Sequence, residues 1–159
     1  MKTRDVGLAC ALFAFTLDQT TKALALAQAP RLADGVEILP MFNLVLVHNT
    51  GVSFGLFGLV PWWALVLLGL AIVAGLAVCL WRARSRLVGA ALGLMIGGAL
   101  GNVLDRARHG AVTDFLDFYL GAYHWPAFNL ADVAVVSGAG LLLLDSIRAK
   151  RPSSAAAKL

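Results

Sequence analysis

Two aspartates lie in largely apolar sequence in the last third of the chain. Asp114 belongs to AVTDFLDF, residues 111–118, and Asp132 belongs to FNLADVAV, residues 128–135. Carboxylates that share one site cannot both ionise easily, so the pair holds a proton between them. Such a pair can act as general base toward a water and as general acid toward a carbonyl. The residue types therefore indicate amide hydrolysis if the fold brings the two side chains together.

A plain structural interpretation of the same carboxylates stays open at this point. Each could cap the start of a helix or face water separately, and sequence alone does not show that they meet. Asp117 also competes with Asp114 for the partner role, because it lies three residues later and shares its face if the segment is helical.

The composition predicts the elements that must position these residues. Of the 159 residues, 60% are hydrophobic and 14% are charged, and the mean hydropathy is +0.81, well above that of an ordinary soluble domain. Four apolar runs are each about the 20 residues that a helix needs to cross a bilayer. We predict an all-α integral membrane protein, a single membrane-embedded domain over residues 1–159, with spans near 6–27, 61–81, 87–105 and 127–147, an outer region at 28–60 and a cytoplasmic tail at 148–159.

The positions of the basic residues indicate the membrane topology of the chain and do not indicate a nucleic-acid partner. The net charge is +4, but the cations flank the apolar runs and form no stripe with interleaved aromatics. In a four-span arrangement, most of them fall on one side: Lys2, Arg4, Arg82, Arg84, Arg86, Arg148, Lys150, Arg151 and Lys158. The positive-inside rule then places both termini in the cytoplasm.

The outer region predicts a small sheet. Residues 36–49 hold β-branched and alternating residues around Pro40, which indicates two short strands. The Gly- and Phe-rich segment 50–60 is too short to span and predicts an interfacial loop or short helix that can close over a substrate. We expect a loop before the fourth span to bring Asp114 back to the outer third of the membrane. In the third span, Gly93, Gly97 and Gly101 predict a small-residue face for close helix packing.

Ionisable and amide residues within the spans gather in the outer third of the membrane, where such residues usually face a bundle interior. Asp18 and Lys22 are four residues apart in the first span and predict an ion pair, and Asp105 with Arg106 predicts a second. Asn102 shares a helix face with Arg106, and Asn129 shares one with Asp132.

Several other residues carry no predicted chemistry. Cys10 and Cys79 lie in apolar runs without a second ligand at metal spacing, so neither a disulfide nor a metal site is predicted. His48, His109 and His124 are interpreted as surface or interfacial residues. The AQA at 27–29 resembles a signal-peptide cleavage site, but charged residues interrupt the run before it, so we expect the first span to be retained.

Five ordered motifs resemble those of the lipoprotein signal peptidase family, also called signal peptidase II, which removes the signal peptide from bacterial prolipoproteins. They are DQTTK (18–22), NTGVSFG (49–55), GGALGNVLDR (97–106), VTDFLD (112–117) and FNLADV (128–133). Together they cover nearly the whole chain in the family's order.

The resemblance implies a role for each matching residue. Asp114 and Asp132 would be the catalytic pair, and the substrate-binding or supporting residues would be Asn49, Gly51, Asn102, Arg106, Asn129, Asp18 and Lys22. It also implies an enzyme without metal or cofactor in the bacterial inner membrane, acting near the outer face. The implied partners are membrane lipid and prolipoproteins cut on the N-terminal side of a diacylglyceryl cysteine, with the cyclic peptide globomycin as inhibitor.

Three other functions compete. A small ion transporter would relay charge through Asp18, Asp105 and Asp132, but it favours ionisable groups across the full membrane depth. A magnesium-dependent lipid phosphotransferase would need its carboxylates on the side of its phosphate donor. An inactive structural homologue would keep the fold without the chemistry. The presence of both Asp114 and Asp132 argues against this alternative.

Overall fold

The computed structural model describes residues 2–51 and 60–149. This part of the chain contains four long helices, α1 (Thr3–Ala27), α3 (Trp62–Arg82), α4 (Arg86–His109) and α5 (Leu130–Ala149), and a single helical turn, α2 (Ala29–Leu32). Four strands complete it: β1 (Val36–Leu39), β2 (Phe42–Asn49), β3 (Val112–Leu120) and β4 (Tyr123–His124). The long helices follow the four predicted apolar runs, and α4 extends furthest beyond its run, to His109 rather than residue 105.

Three of these helices, α3, α4 and α5, are long and apolar enough to cross a membrane, within the described residues. The fourth long helix, α1, has 25 residues, but Asp18 and Lys22 interrupt its apolar sequence. The described chain is therefore mostly helical, with three candidate spans and a small antiparallel sheet.

The sheet has the strand order β1-β2-β3-β4, and every neighbouring pair is antiparallel. The two strands predicted within residues 36–49 are confirmed as β1 and β2. The prediction of a loop before the last span is wrong over residues 112–120, which form β3. Its sequence, VTDFLDFYL, is rich in β-branched and aromatic residues that favour a strand. Its partner β2 lies more than sixty residues earlier, so the pairing is not a local feature of the sequence.

The centre of the fold is α4, which packs against α1, α3 and α5. Glycines allow the close approach: a Cβ at Gly93 or Gly97 would collide with a backbone carbonyl of α1, that of Gly7 or Ala11. On another face of α4, a Cβ at Gly98 would collide with a carbonyl of α5. The predicted small-residue face is therefore confirmed, and it brings the backbones of α1 and α4 into contact.

Two predicted segments fall largely outside the described residues. Of the predicted interfacial segment 50–60, the structure describes only residues 50, 51 and 60. The predicted tail lies outside the described residues from position 150 onward.

The close packing of α4 on α1 predicts different outcomes for two Gly→Ala substitutions. Gly97→Ala places a methyl group against the Ala11 carbonyl and the Ala14 side chain, so we expect it to lower the free energy of unfolding by about 1–3 kcal/mol. Gly75→Ala is the matched control, because apart from the backbone of α3 itself and the adjacent residues no atom of the described chain lies within 4 Å of its Cβ position. Thermal unfolding in detergent measures both, and equal stability of the two variants would contradict the packing.

Candidate active site

Strand β3 and helix α5 carry the two aspartates to one end of the helix bundle. The left-handed conformation of Gly110, with φ 70°, ends α4 and turns the chain into β3. Antiparallel pairing sets Val47 of β2 opposite Asp114 and Asn49 opposite Val112. Asp132 follows in the first turn of α5.

Asp114 is almost completely buried, with 2% of its surface exposed. Its Oδ2 accepts a hydrogen bond from Asn49 Nδ2 at 3.0 Å, and its Oδ1 accepts one from Asn129 Nδ2 at 2.6 Å. Both oxygens of this carboxyl group are therefore held by asparagine amides, one from β2 and one from the residue before α5.

Asp132 is half-buried and is held by a different pair of donors. Its Oδ1 accepts from Asn102 Nδ2 of α4 at 3.0 Å, and its Oδ2 accepts from the backbone N–H of Asn129 at 3.2 Å. Asn129 Oδ1 in turn accepts from the backbone N–H of Asp132 at 3.1 Å, which is the reciprocal pattern of a capping box. This cap at the start of α5 fixes the direction in which the Asp132 carboxylate leaves the helix.

Asn129 joins the two carboxylates, because its side chain bonds to Asp114 and its backbone bonds to Asp132. It is fully buried. The fold thus brings Asp114 and Asp132 into a single site, although 18 positions separate them in the sequence. The interpretation in which each carboxylate caps a helix start is met by Asp132 alone, and Asp114, which is buried and bonded to Asn129, does not face water separately.

A second layer of charged residues lies behind Asn102. Lys22 Nζ is 2.9 Å from Asp18 Oδ2, 3.2 Å from Asp105 Oδ2 and 2.9 Å from Asn102 Oδ1. The predicted Asp18–Lys22 ion pair is therefore confirmed. Asp18 Oδ1 also accepts from the backbone N–H of Ala131, which ties α1 to the first turn of α5.

The predicted pairing of Asp105 with Arg106 is wrong. Consecutive residues point about 100° apart around a helix, so the two side chains face different neighbours. Asp105 pairs with Lys22 and accepts from the backbone N–H of Thr113 at 2.9 Å, which holds the start of β3 against α4. Arg106 Nη2 donates instead to the Gly51 carbonyl at 3.1 Å.

Asp105 is the residue that the sequence interpretation left out of the site. Its spacing carried a signal, because Asp105 lies three residues after Asn102 and therefore on the same helix face. Gln19 also belongs to this layer, since its Nε2 donates to Asp18 Oδ2 and Asp105 Oδ1.

Asp117 is not a partner of Asp114, because β3 is a strand and residues three apart point to opposite faces. It is buried and lies 2.8 Å from His124 Nδ1, and it accepts from Asn43 Nδ2 at 3.1 Å. His124 therefore has a specific partner rather than being a solitary interfacial residue. His48 and His109 are exposed, as predicted.

The surroundings of Asp114 favour its protonated form. Burial raises the pKa of this carboxyl group from 3.8 to about 6, the hydrogen bond from Asn49 opposes the shift, and the nearby charge of Asp132 adds to it. Of the two carboxylates, Asp114 is thus suited to holding a proton.

Comparisons with known proteins agree along almost the whole chain. The model of a peptidase family described as signal peptidase (SPase) II matches residues 10–148. A lipoprotein signal peptidase of Methylorubrum extorquens is 45% identical, covering 89% of this chain and 85% of its own length. One from Paraburkholderia phymatum is 43% identical, with 91% and 89% covered. A solved structure described as a bacterial membrane enzyme superposes with a TM-score of 0.78 at 26% identity, covering 93% of each chain.

The raised pKa of Asp114 predicts a pH-dependent effect of Asp114→Asn, which removes the titrating group at equal volume. Because the folded-state pKa is above the unfolded one, Asp114 contributes most to stability below pH 4 and progressively less as the pH rises through 6. We expect the stability of Asp114→Asn relative to wild type to increase by about 2 kcal/mol between pH 4 and pH 7. Unfolding in detergent across this pH range measures it.

Thr113→Val is the control for this measurement, since it alters the neighbouring residue of β3 without changing a titrating group. Its stability difference from wild type should stay constant with pH. A constant difference for Asp114→Asn as well would contradict the raised pKa.

Proposed function

Because the chain belongs to the signal peptidase II family, and is accordingly a peptidase, we propose that it removes the signal peptide from bacterial prolipoproteins by aspartyl catalysis. Asp114 and Asp132 are the catalytic pair. The bond cleaved lies on the N-terminal side of a cysteine that already carries a diacylglyceryl group, and globomycin inhibits the reaction.

The observation that carries the aspartyl mechanism is the position of Asn129 between the carboxylates. It donates to Asp114 through its side chain and to Asp132 through its backbone, so one residue holds both carboxyl groups. Two carboxylates in one partly buried site share a proton, which is the requirement for simultaneous acid and base catalysis.

In the proposed reaction, Asp132 removes a proton from a water molecule, and the resulting hydroxide attacks the carbonyl carbon of the scissile bond. Asp114 donates its proton to the carbonyl oxygen, which gives a neutral tetrahedral intermediate. Asp132 then gives its proton to the amide nitrogen while Asp114 takes a proton from a hydroxyl group of the intermediate, so that the C–N bond breaks and both carboxyl groups return to their starting states. The raised pKa of Asp114 supports its assignment as the acid.

The other residues of the site hold the catalytic pair and the chain that follows β2. Asn49 and Asn129 hold Asp114, and Asn102 holds Asp132. Arg106 fixes the Gly51 carbonyl at the end of β2, where the chain enters the segment proposed to close over the substrate.

We also propose that α1 is a fourth transmembrane span of a single domain over residues 1–159. At about 1.5 Å per residue, its 25 residues exceed the roughly 30 Å thickness of the hydrocarbon core. Its charged pair, Asp18 and Lys22, is buried in the bundle and does not face lipid. Arg4 donates to the Trp81 carbonyl at 2.9 Å, so the start of α1 and the end of α3 lie on the same side.

This geometry supports the predicted inner-membrane topology. The basic residues at the start of α1 and the end of α3 share one side, which is the cytoplasmic side by the positive-inside rule. The catalytic pair at the other end of the bundle then lies near the outer face, where the lipid anchor of a prolipoprotein holds the scissile bond.

The test is cleavage of a diacylglyceryl-modified prolipoprotein by the purified protein in detergent, followed by gel shift and by mass determination of the product. We expect wild type to cleave with or without EDTA. Asp114→Asn and Asp132→Asn should each lose activity by roughly 10²- to 10⁴-fold or more, because each removes a proton-transfer group at constant volume.

Asp117→Asn serves as the matched control, since Asp117 lies on the same strand but on its opposite face. It should cleave at a rate close to that of wild type. Undiminished cleavage by Asp114→Asn or Asp132→Asn, or loss of cleavage in EDTA, would contradict the aspartyl mechanism, and a product that retains residues before the cysteine would contradict the cleavage position.

A further inference from the structure

The three asparagines of the site are oriented by groups that can only donate hydrogen bonds. The Gly51 N–H donates to Asn49 Oδ1 at 3.1 Å, and the Asp132 N–H donates to Asn129 Oδ1 at 3.1 Å. Lys22 Nζ donates to Asn102 Oδ1 at 2.9 Å. Since each amide oxygen faces a donor, each amide nitrogen must face the opposite way. All three nitrogens are thereby turned toward a carboxylate.

Asn102 differs from the other two in what orients it. The oxygens of Asn49 and Asn129 are held by backbone N–H groups, whose positions follow from the fold. Asn102 Oδ1 is held by a side chain, the ammonium of Lys22, together with a longer contact of 3.2 Å from Asn129 Nδ2. The donor that Asn102 presents to Asp132 therefore depends on Lys22.

We propose that Lys22 is a positioning residue for the reaction: its ammonium fixes Asn102 as a hydrogen-bond donor to Asp132 and so holds the Asp132 carboxylate in place to act as base. The proposal rests on the proposed function. Lys22 touches neither catalytic carboxylate through a hydrogen bond or ion pair, and its chain of contacts to Asp132 passes through Asn102.

The charges around the site strengthen the dependence of the Asp132 carboxylate on Lys22. The described elements contribute four carboxylates, from Asp18, Asp105, Asp114 and Asp132, and two cations, from Lys22 and Arg106. Lys22 is only 2% exposed, so solvent screens its field weakly. Removing it takes away one of two cations and releases the Asn102 amide, and both changes disfavour an ionised carboxylate.

A purely structural role for Lys22, as counterion to Asp18 and Asp105, predicts something different. Loss of that role lowers stability and removes a cation, but it gives the Asn102 amide no part in the pH dependence of the remaining activity. The pH profile of an Asn102 variant, which keeps every charge, therefore separates the two roles.

The experiment measures kcat/KM for prolipoprotein cleavage against pH with the full chain in detergent. In Lys22→Met we expect the acid limb of the profile to move to higher pH by about one unit, with the loss mainly in kcat. Asn102→Ala, which leaves every charge in place, should move the limb in the same direction. The double variant should move it no further than Lys22→Met alone, since both residues act in one chain of contacts.

Gln19→Leu is the control, because Gln19 contacts Asp18 and Asp105 but none of the three asparagines through a hydrogen bond. It should lower stability without moving the acid limb. If Lys22→Met does not fold, the double variant Lys22→Met/Asp105→Asn takes its place, because it removes a carboxylate together with the cation. Asp105→Asn alone is then the reference.

An unmoved acid limb in Asn102→Ala, with wild type active, overturns the proposal whatever the folding of the Lys22 variants. Additive shifts in the double variant overturn it too, because Lys22 would then act by a separate route. Failure of the proposed function is distinct, since the wild type itself would not cleave.

Discussion

The buried ion pair of Asp18 and Lys22 is the interaction on which the rest of the structure depends. Its carboxylate accepts the Ala131 N–H at the start of α5, and its ammonium reaches Asp105 and Asn102 on α4. Charges are expensive to place in a helix bundle unless they are paired and hydrogen-bonded, and here both members are. One pair on α1 thus joins α4 and α5 at the level of the site, where these helices also pack directly on each other. The Asp132 carboxylate at the start of α5 is held beside Asn102 of α4 by this arrangement.

Glycine makes this arrangement possible. A Cβ at Gly101 would occupy the position of the Asp18 carboxylate, just as one at Gly93 or Gly97 would collide with the α1 backbone. The same helix face that packs α4 on α1 therefore leaves room for the charge that holds α5. Polar side chains follow on the adjoining face, with Asn102 and Asp105 directed to Lys22. Along α4, the glycines that pack on α1 and the polar side chains that contact Lys22 occur at helical spacing. A substitution in either set would therefore displace the other set.

Much of this could be predicted from sequence, and the misses have physical reasons. Apolar length determines the helices, so their bounds followed from composition, and the Asp18–Lys22 pair followed from a four-residue spacing within one helix. Strand β3 was missed because two aspartates obscure its apolar character and its partner β2 is distant in the chain. Asp105 was assigned to its sequence neighbour, whereas its true partners, Lys22 and the Thr113 N–H, lie on other elements. The orientation of the asparagines could not be predicted, because it depends on donors that only the complete fold supplies.

The contacts of Asp18 also impose an order on biogenesis. The ribosome releases α1 first, and at that stage the side chains of its charged pair have only each other and Gln19 as partners. Asn102 and Asp105 arrive with α4, and the Ala131 N–H arrives only with α5, the last helix to be synthesised. A nascent chain that stalls before α5 therefore leaves the Asp18 carboxylate without its backbone donor, while the completed chain supplies that donor and brings Asp132 to the site in the same step. Incomplete chains thus differ from finished ones by a carboxylate oxygen that lacks its hydrogen bond, so the last helix to be made completes the polar contacts of the first.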